Sequence, residues 1–499
     1  MPPLTSGGRR YNAQYPAIHR LNNSNDILLG IFNYYRLDEE NGRNDRLGWW
    51  CKLSQVCQRW RHLIYEYAFR LGLRIKCTNG TPTVDKLDHL PPLPLLIDYK
   101  PVSDGVGILT EQDELGIYHA LRLHGRVRRI KLKLPPSILH KVAVLMGEHF
   151  PILERLSLSF TAYSGNHLPL ILPKAFLAPN LRHLTLPNIS PLRRLRVLTS
   201  SDSLVKLELI MIETSSYFRP RLLVARLQSL PQLQELYIGF STPIPHPSTE
   251  RELLGEQGAP VTLPSLKNLR FKGVGAYLES LAAQIRAPLL ERLAVTLFNQ
   301  IAFALPHLFH LINITEFKPP HVAVSFTHEM VVVTVCRFHK TWVQVVFSLS
   351  VICERLDRQI DCAAQICHGL RLIPALSSCA ELLALNVEYR EIPTELRNGG
   401  IDSVKWHKLL RSFIGLKELY ICEPLLEELS RALEVDEVRS DPGFLPNLRY
   451  ISAGHNLFTS FIDSGRVVGR PVQFSQWCTS GSRHDLQQSS TNVSATGWR

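Results

Sequence analysis

The chain has 499 residues, 45% hydrophobic and 20% charged, with 56 Lys and Arg against 44 Asp and Glu, a formal net charge of +12. Such a length exceeds one ordinary compact core, so several domains or an elongated repeat are expected, and the composition fits a soluble folded protein. No apolar run approaches a bilayer span, because the greasiest region, Val331–Val335 and Trp342–Phe347, is broken by Arg337, His339 and Lys340.

Residues 1–16 read as a disordered N-terminus, and the polar stretch Met1–Gln14 does not read as a signal peptide. With no Cys-x-x-Cys among ten cysteines, reduced thiols and a cytoplasmic or nuclear location are expected. The first element is a short amphipathic helix, Asp26-Ile27-Leu28-Leu29-Gly30-Ile31-Phe32, with Asp26 placed to cap it. A second runs from Leu53 to Ile64, with apolar residues at 53, 56, 57, 60, 63 and 64, spaced for one face of a helix. Two such helices are too little to form a core of their own.

These two segments resemble an F-box. Asp26, Ile27, Leu28, Ile31 and Phe32 match its first helix, and Leu53, Val56, Cys57, Trp60, Leu63 and Ile64 match its Val-Cys-x-x-Trp stretch. The chain lacks the usual Pro after Leu21 and inserts a charged loop between Leu37 and Trp49. From residue 11 to about 465 it is similar to fungal (mushroom-type) F-box-like proteins, in which a segment like Leu71–Thr78 and a Pro-rich hinge like Leu90–Leu95 follow the module. The resemblance implies a helical module over 17–75 that docks on a Skp-type cullin adaptor. Ile27, Leu28, Ile31, Phe32, Leu53, Val56, Trp60 and Leu63 would pack it and meet that partner, with Trp60 as an internal anchor. Residues 76–105 read as a Pro-rich connector.

From residue 127 onward, aliphatic-x-x-aliphatic-x-aliphatic recurs. Copies start at Val127, Leu153, Leu181, Leu204, Leu233, Leu266 and Leu290, then at Leu382, Leu416 and Leu448. The first seven are separated by 26, 28, 23, 29, 33 and 24 residues, all but one within the leucine-rich-repeat period of roughly 20–29. The closing aliphatic positions alternate as in a strand buried on one face, so neighbouring copies must stack into a parallel sheet. Segments such as Ser137–Met146, Ala276–Ile285, Leu356–Cys367 and Leu425–Leu433 have helical spacing and are expected to cover its outer side. The usual Asn or Cys after the strand is missing, which predicts irregular turns. Residues 296–350 break the rhythm and read as two or three strands continuing the sheet, while 466–499, with its Ser- and Gln-rich end, reads as a disordered tail.

The predicted fold class is therefore α/β. All-α F-box-like helices are followed, over 106–465, by an irregular leucine-rich-repeat-like solenoid with a parallel β-sheet lining its concave face. Side chains between the buried leucines project from that face, among them Arg129, Lys131, Lys133, Arg155, His183, Lys206, Tyr237, Arg270, Arg292 and Tyr420. The first strands are mostly basic, which suits an acidic or phosphorylated target protein; a merely solvated face is the other reading. Neither the cluster around Arg128 nor Arg193-Arg194-Leu195-Arg196 is interleaved with aromatics, so nucleic acid is not an expected partner. Neither a membrane partner nor a cofactor or metal is expected. No P-loop, Gly-x-Gly-x-x-Gly, His-Glu-x-x-His or Gly-x-Ser-x-Gly is present, and Cys362-x4-Cys367-His368 lacks a second ligand pair. The expectation is a non-enzymatic substrate-recognition subunit of an SCF-type ubiquitin ligase. The alternative is a repeat scaffold whose N-terminal helices only cap the solenoid.

Overall fold

The computed structural model describes residues 24–40, 49–68, 70–80, 87, 91–100, 109–161, 168–189, 196–243, 260–298, 305–311, 321–339, 342–371, 381–388, 402–433, 444–453 and 473–476. The architecture is mixed α/β with mostly parallel pairing, in two compact units, Met1–Thr185 and Leu186–Arg499.

The first unit begins with three helices, α1 (Asn25–Glu40), α2 (Trp49–Leu53) and α3 (Gln58–Glu66). Asp26 is not the cap of α1. It lies in the first turn, where its charge suits the helix dipole, and the Ser24 hydroxyl accepts the Ile27 amide at 3.4 Å. Nor do residues 53–64 form one continuous helix. The Ser54 hydroxyl donates to the Cys51 carbonyl at 2.8 Å as the chain turns, and the Cys57 sulfur accepts the Trp60 amide at 3.5 Å to start α3. Arg61 Nε ties the turn down on the Ser54 carbonyl at 3.0 Å. Phe32, fully buried, is the centre of this helical cluster, with the Trp60 ring edge-on at 5.2 Å and Trp49 at 6.4 Å.

The segment read as a connector carries two strands, β1 (Ile75–Thr78) and β2 (Leu95–Tyr99). Beyond it come α4 (Glu111–Arg122), β3 (Val127–Leu134), α5 (Pro136–Leu145), β4 (Arg155–Phe160) and β5 (His183–Pro187). The five strands pair in parallel and in sequence order. Thr110 and Asp113 cap α4 reciprocally, and the Asp113 carboxylate also accepts the amide of Gly80 at 2.8 Å. Gly80 sits at φ +65°, in the turn that leaves β1.

In the second unit, α6 (Val197–Ser200), β6 (Lys206–Ile212), α7 (Pro220–Leu227) and β7 (Glu235–Phe240) come first. Next are β8 (Val261–Thr262), β9 (Asn268–Gly273), α8 (Gly275–Gln284), β10 (Ile285–Arg286) and β11 (Arg292–Leu297). Helix α8 stops one residue short of the expected end because Ile285 and Arg286 pair with Val261 and Thr262 in a separate two-stranded ribbon. Then follow α9 (Pro306–Leu311), β12 (His321–Thr327), β13 (Met330–His339), β14 (Trp342–Ile352) and α10 (Leu356–Leu370). The chain finishes with β15 (Leu382–Glu388), α11 (Ser403–Leu410), β16 (Glu418–Ile421), α12 (Glu423–Leu433), β17 (Tyr450–Ala453) and β18 (Gln473–Gln476).

The main sheet of this unit runs β6-β7-β9-β11-β14-β13-β12-β15-β16-β17-β18. The region that breaks the repeat is a three-stranded meander entered from its far side: β14, not β12, lies beside β11. Strand β13 alone runs antiparallel to its neighbours, and β12 restores parallel pairing with β15. Val322, Val324 and Phe326 continue the buried layer through β12, and Val331, Val333 and Val335 through β13. The short β12–β13 and β13–β14 connections explain the direction reversals. Gly369 lets α10 approach the Phe309 ring so closely that a Cβ there would collide with it.

Eight of the ten repeat copies become strands that start at their third residue, while β3 and β15 begin at the first, Val127 and Leu382. In those eight copies the leading leucine's amide is bonded three residues back, as for Leu233 to the Leu230 carbonyl at 3.2 Å, and all but half-buried Leu290 are buried. One carbonyl per copy then accepts two successive amides of the next. Val205 accepts Gln234 and Glu235 (2.8 and 3.0 Å), Gln234 accepts Lys267 and Asn268 (2.9 Å each), and Lys267 accepts Glu291 and Arg292 (2.8 and 2.9 Å). The expectation that no Asn or Cys follows a repeat strand fails at Cys422, directly after β16, and at Asn188, directly after β5. Asn188 is buried at φ +41°, and its side-chain oxygen accepts the Glu213 amide of the next copy at 3.2 Å.

A buried carboxylate holds α9. Glu279 of α8, 4% exposed, accepts the backbone amides of His307 and Leu308 and contacts His307 Nδ1, each at 2.9 Å. Glu279→Ala leaves those donors without their acceptor and is expected to destabilise the chain by about 1–3 kcal/mol, read as a lower urea midpoint. Glu291→Ala, which removes only an exposed pair with Lys267, should move the midpoint by less than about 0.5 kcal/mol. Equal effects would show that the Glu279 cap is not formed.

Candidate interaction surfaces

The residues singled out for an adaptor divide by exposure. Leu28, Phe32 and Leu63 are buried and hold the helices together, and Ile31, Leu53 and Trp60 are half-buried. Ile27 and Val56 face solvent at 47% and 59% exposure. Arg59 donates to the Asn25 side chain at 2.8 Å, which sets the start of α1 beside the start of α3. Ile27 and Val56 each lie within three residues of that bond. Tyr34 and Tyr35 are further exposed large side chains on α1, which pattern reading missed because they fall outside the apolar stripe. Residues 17–23 and the loop 41–48 lie outside the described residues.

The residues singled out for a target fall into two electrostatically different groups. In the first unit, adjacent strands place Arg129 beside Arg155 and then His183, and Lys131 beside Ser157 and Thr185. Lys133 lies beside Ser159. The carboxylate of Asp98 on β2, an acid that sequence reading left in the connector, is 3.8 Å from Arg129. Among the described residues, Lys131, Lys133 and Arg155 make no ion pair.

In the second unit the same strand positions neutralise one another. Lys206 lies 3.1 Å from both Glu208 and Glu235, and Arg270 reaches Glu208 at 2.6 Å while its guanidinium covers the Tyr237 ring at 4.7 Å. Burial alone would lower the Lys206 pKa, but the Glu208 and Glu235 carboxylates outweigh it and hold the ammonium above its ordinary value. Burial pushes the Tyr237 phenol up to about 12, with Arg270 pulling the other way. Arg292 Nε donates to the Asn268 side chain at 2.8 Å. Sequence reading missed Lys272, whose ammonium lies 5.7 Å from the Phe298 ring and whose pKa burial lowers. Thus Lys206, Tyr237, Arg270 and Arg292 gather on four neighbouring strands. Tyr420 stands apart on β16, in an open recess with Glu418, Tyr450 and Ser452, its hydroxyl 3.3 Å from Glu418.

Among the described residues no three His, Cys, Asp or Glu side chains gather in a way that could hold a metal ion, and no helix is long and apolar enough to cross a membrane. Cys362 and Cys367 lie on α10 as expected, buried, with His368 exposed beside them. No family model and no curated protein matches the chain.

Five of the described thiols lie where burial disfavours the thiolate. Burial pushes Cys336 and Cys422 up to about 11 and Cys362 up to about 12, and raises Cys353 and Cys367 as well. At pH 8 a thiol of pKa about 12 is ionised in only about one molecule in ten thousand. Iodoacetamide at pH 8 should therefore label half-buried Cys51 and Cys57 in the native chain before Cys353, Cys362 and Cys367. Early labelling of Cys362 by peptide mass spectrometry would contradict the packing of α10.

Proposed function

We propose that this chain is the substrate-recognition subunit of an SCF-type cullin–RING ubiquitin ligase. An F-box-like helical module docks on a Skp-type adaptor in the cytoplasm or nucleus. A leucine-rich-repeat-like solenoid presents the target on the polar, concave face of its parallel sheet. The observation that carries the first half is the state of the N-terminal helices. They bury Phe32 against Trp49 and Trp60 yet leave Ile27 and Val56 in solvent at the end where α1 meets α3. Large apolar side chains held out on a small helical cluster suit a partner that covers them. The second half is supported by the copy-to-copy bonding of the strands, which repeats one unit of leucine turn and strand.

One contact favours the alternative, a repeat scaffold that the helices merely cap. Trp50 Nε1 donates to the Arg74 carbonyl at 3.3 Å, tying α2 to the residue before β1. The two readings separate on adaptor capture. The full chain should retain a purified Skp-type adaptor on a column. Ile27→Asp/Val56→Asp, at two exposed positions, should lower that retention by about tenfold or more with an unchanged urea midpoint. A chain that captures no adaptor, or a double variant that captures it as well as the parent, would leave only the capping role.

A further inference from the structure

Two strands of the second unit carry the same four residues in the same order. Glu235-Leu236-Tyr237-Ile238 opens β7, and Glu418-Leu419-Tyr420-Ile421 makes up β16. In both, the leucine and isoleucine are buried, and the glutamate and tyrosine share the opposite face. Their neighbours differ. Beside β7, the register places Lys206 next to Glu235, with Glu208 and Arg270 on either side of Tyr237. Lys206 pairs with Glu235 at 3.1 Å. The Arg270 guanidinium lies 4.7 Å from the centre of the Tyr237 ring and reaches Glu208 at 2.6 Å. The acid and the ring of β7 are thus each matched by a cation from the chain itself.

Beside β16 the same register positions hold no cation. Leu382 and Tyr450 flank Glu418, and Ala384 and Ser452 flank Tyr420. What remains is a recess lined by Glu418, Leu419, Tyr420, Tyr450 and Ser452. Glu418 accepts the Tyr420 hydroxyl at 3.3 Å and makes no ion pair among the described residues, because the adjacent Lys417 is held by Glu381. His321, two strands away, brings no charge at pH 7: burial lowers its pKa, although Glu418 and Glu381 pull the other way.

We propose that this recess takes an arginine side chain of a bound protein segment, in the role that Arg270 fills beside Tyr237. A guanidinium is planar and weakly hydrated, so it can lie on a tyrosine ring and donate to a carboxylate at the same time. Glu418 supplies the carboxylate, and Tyr420 and Tyr450 supply the rings. A lysine ammonium meets the charge but not the flat surface, and an anion is repelled by Glu418. This rests on the target-presenting half of the function proposed above and needs no adaptor.

The test passes three degenerate peptide libraries over the immobilised full chain. They share random flanks and carry arginine, lysine or glutamine at a fixed central position. The arginine library should be retained about tenfold more strongly than the glutamine library, and about threefold more strongly than the lysine library. Glu418→Gln and Tyr450→Ala, the latter at a side chain 42% exposed, should each abolish that preference with an unchanged urea midpoint. Glu291→Gln removes the same charge from an exposed position elsewhere in the unit and should keep it. Equal retention of arginine and lysine would mean a plain acidic patch and overturn the proposal. So would equal retention of arginine and glutamine, or persistence of the preference in Glu418→Gln. Adaptor capture, measured on the same columns, reads the ligase role separately. Loss of capture with intact arginine preference would remove that role and leave this site standing.

Discussion

A strand with one apolar face cannot be stable alone, and every repeat in this chain is such a strand. Leu236, Leu269 and Leu293 are each almost fully buried, and each is worth about 1.5–3 kcal/mol when removed from water. That burial exists only when the copies before and after supply the rest of the layer. The backbone enforces the same dependence, because the carbonyl that accepts two amides of the following copy has no use without it. Register follows directly: Leu236 lies beside Leu269 and Leu269 beside Leu293, so a one-residue slip would turn every leucine outward.

Once the leucines face one way, the intervening residues have no choice but the other. The polar face is thus a consequence of the buried one, and its chemistry is free to vary without loss of the fold. The second unit uses that freedom to neutralise itself through Lys206, Glu208, Glu235 and Arg270. The first leaves Arg155, Lys131 and Lys133 without an ion pair among the described residues. Ion pairs at such partly exposed positions contribute modest stability, so the contrast between the units bears on what each face can attract more than on how firmly each folds.

The repeat was legible in the sequence because its period-two alternation is local. The copies begun at Leu153, Leu233 and Leu290 all became strands, each starting two residues later than the leading leucine. Three things were not legible. The order of β12, β13 and β14 depends on which edge each strand reaches, and Val-rich runs such as Val331–Val335 fit any order equally well. The strands at Ile75 and Leu95 are four and five residues long and hidden beside Pro91, Pro92 and Pro94, so composition spoke for a connector. The break between α2 and α3 turns on side-chain bonds of Ser54 and Cys57 that leave the apolar spacing intact. For the surfaces, the positions of the cations were readable from alternation, but their partners lie a repeat or more away in sequence, as Glu208 does from Arg270, 62 residues apart.

Copy-to-copy backbone bonding holds the leucine layer, and amide hydrogen exchange tests this most directly. The paired amides at Gln234 and Glu235, Lys267 and Asn268, and Glu291 and Arg292 should exchange slowly and lose protection together as denaturant is added. Exchange at those six amides as fast as at the exposed turn residues Asp202 and Gln232 would contradict it.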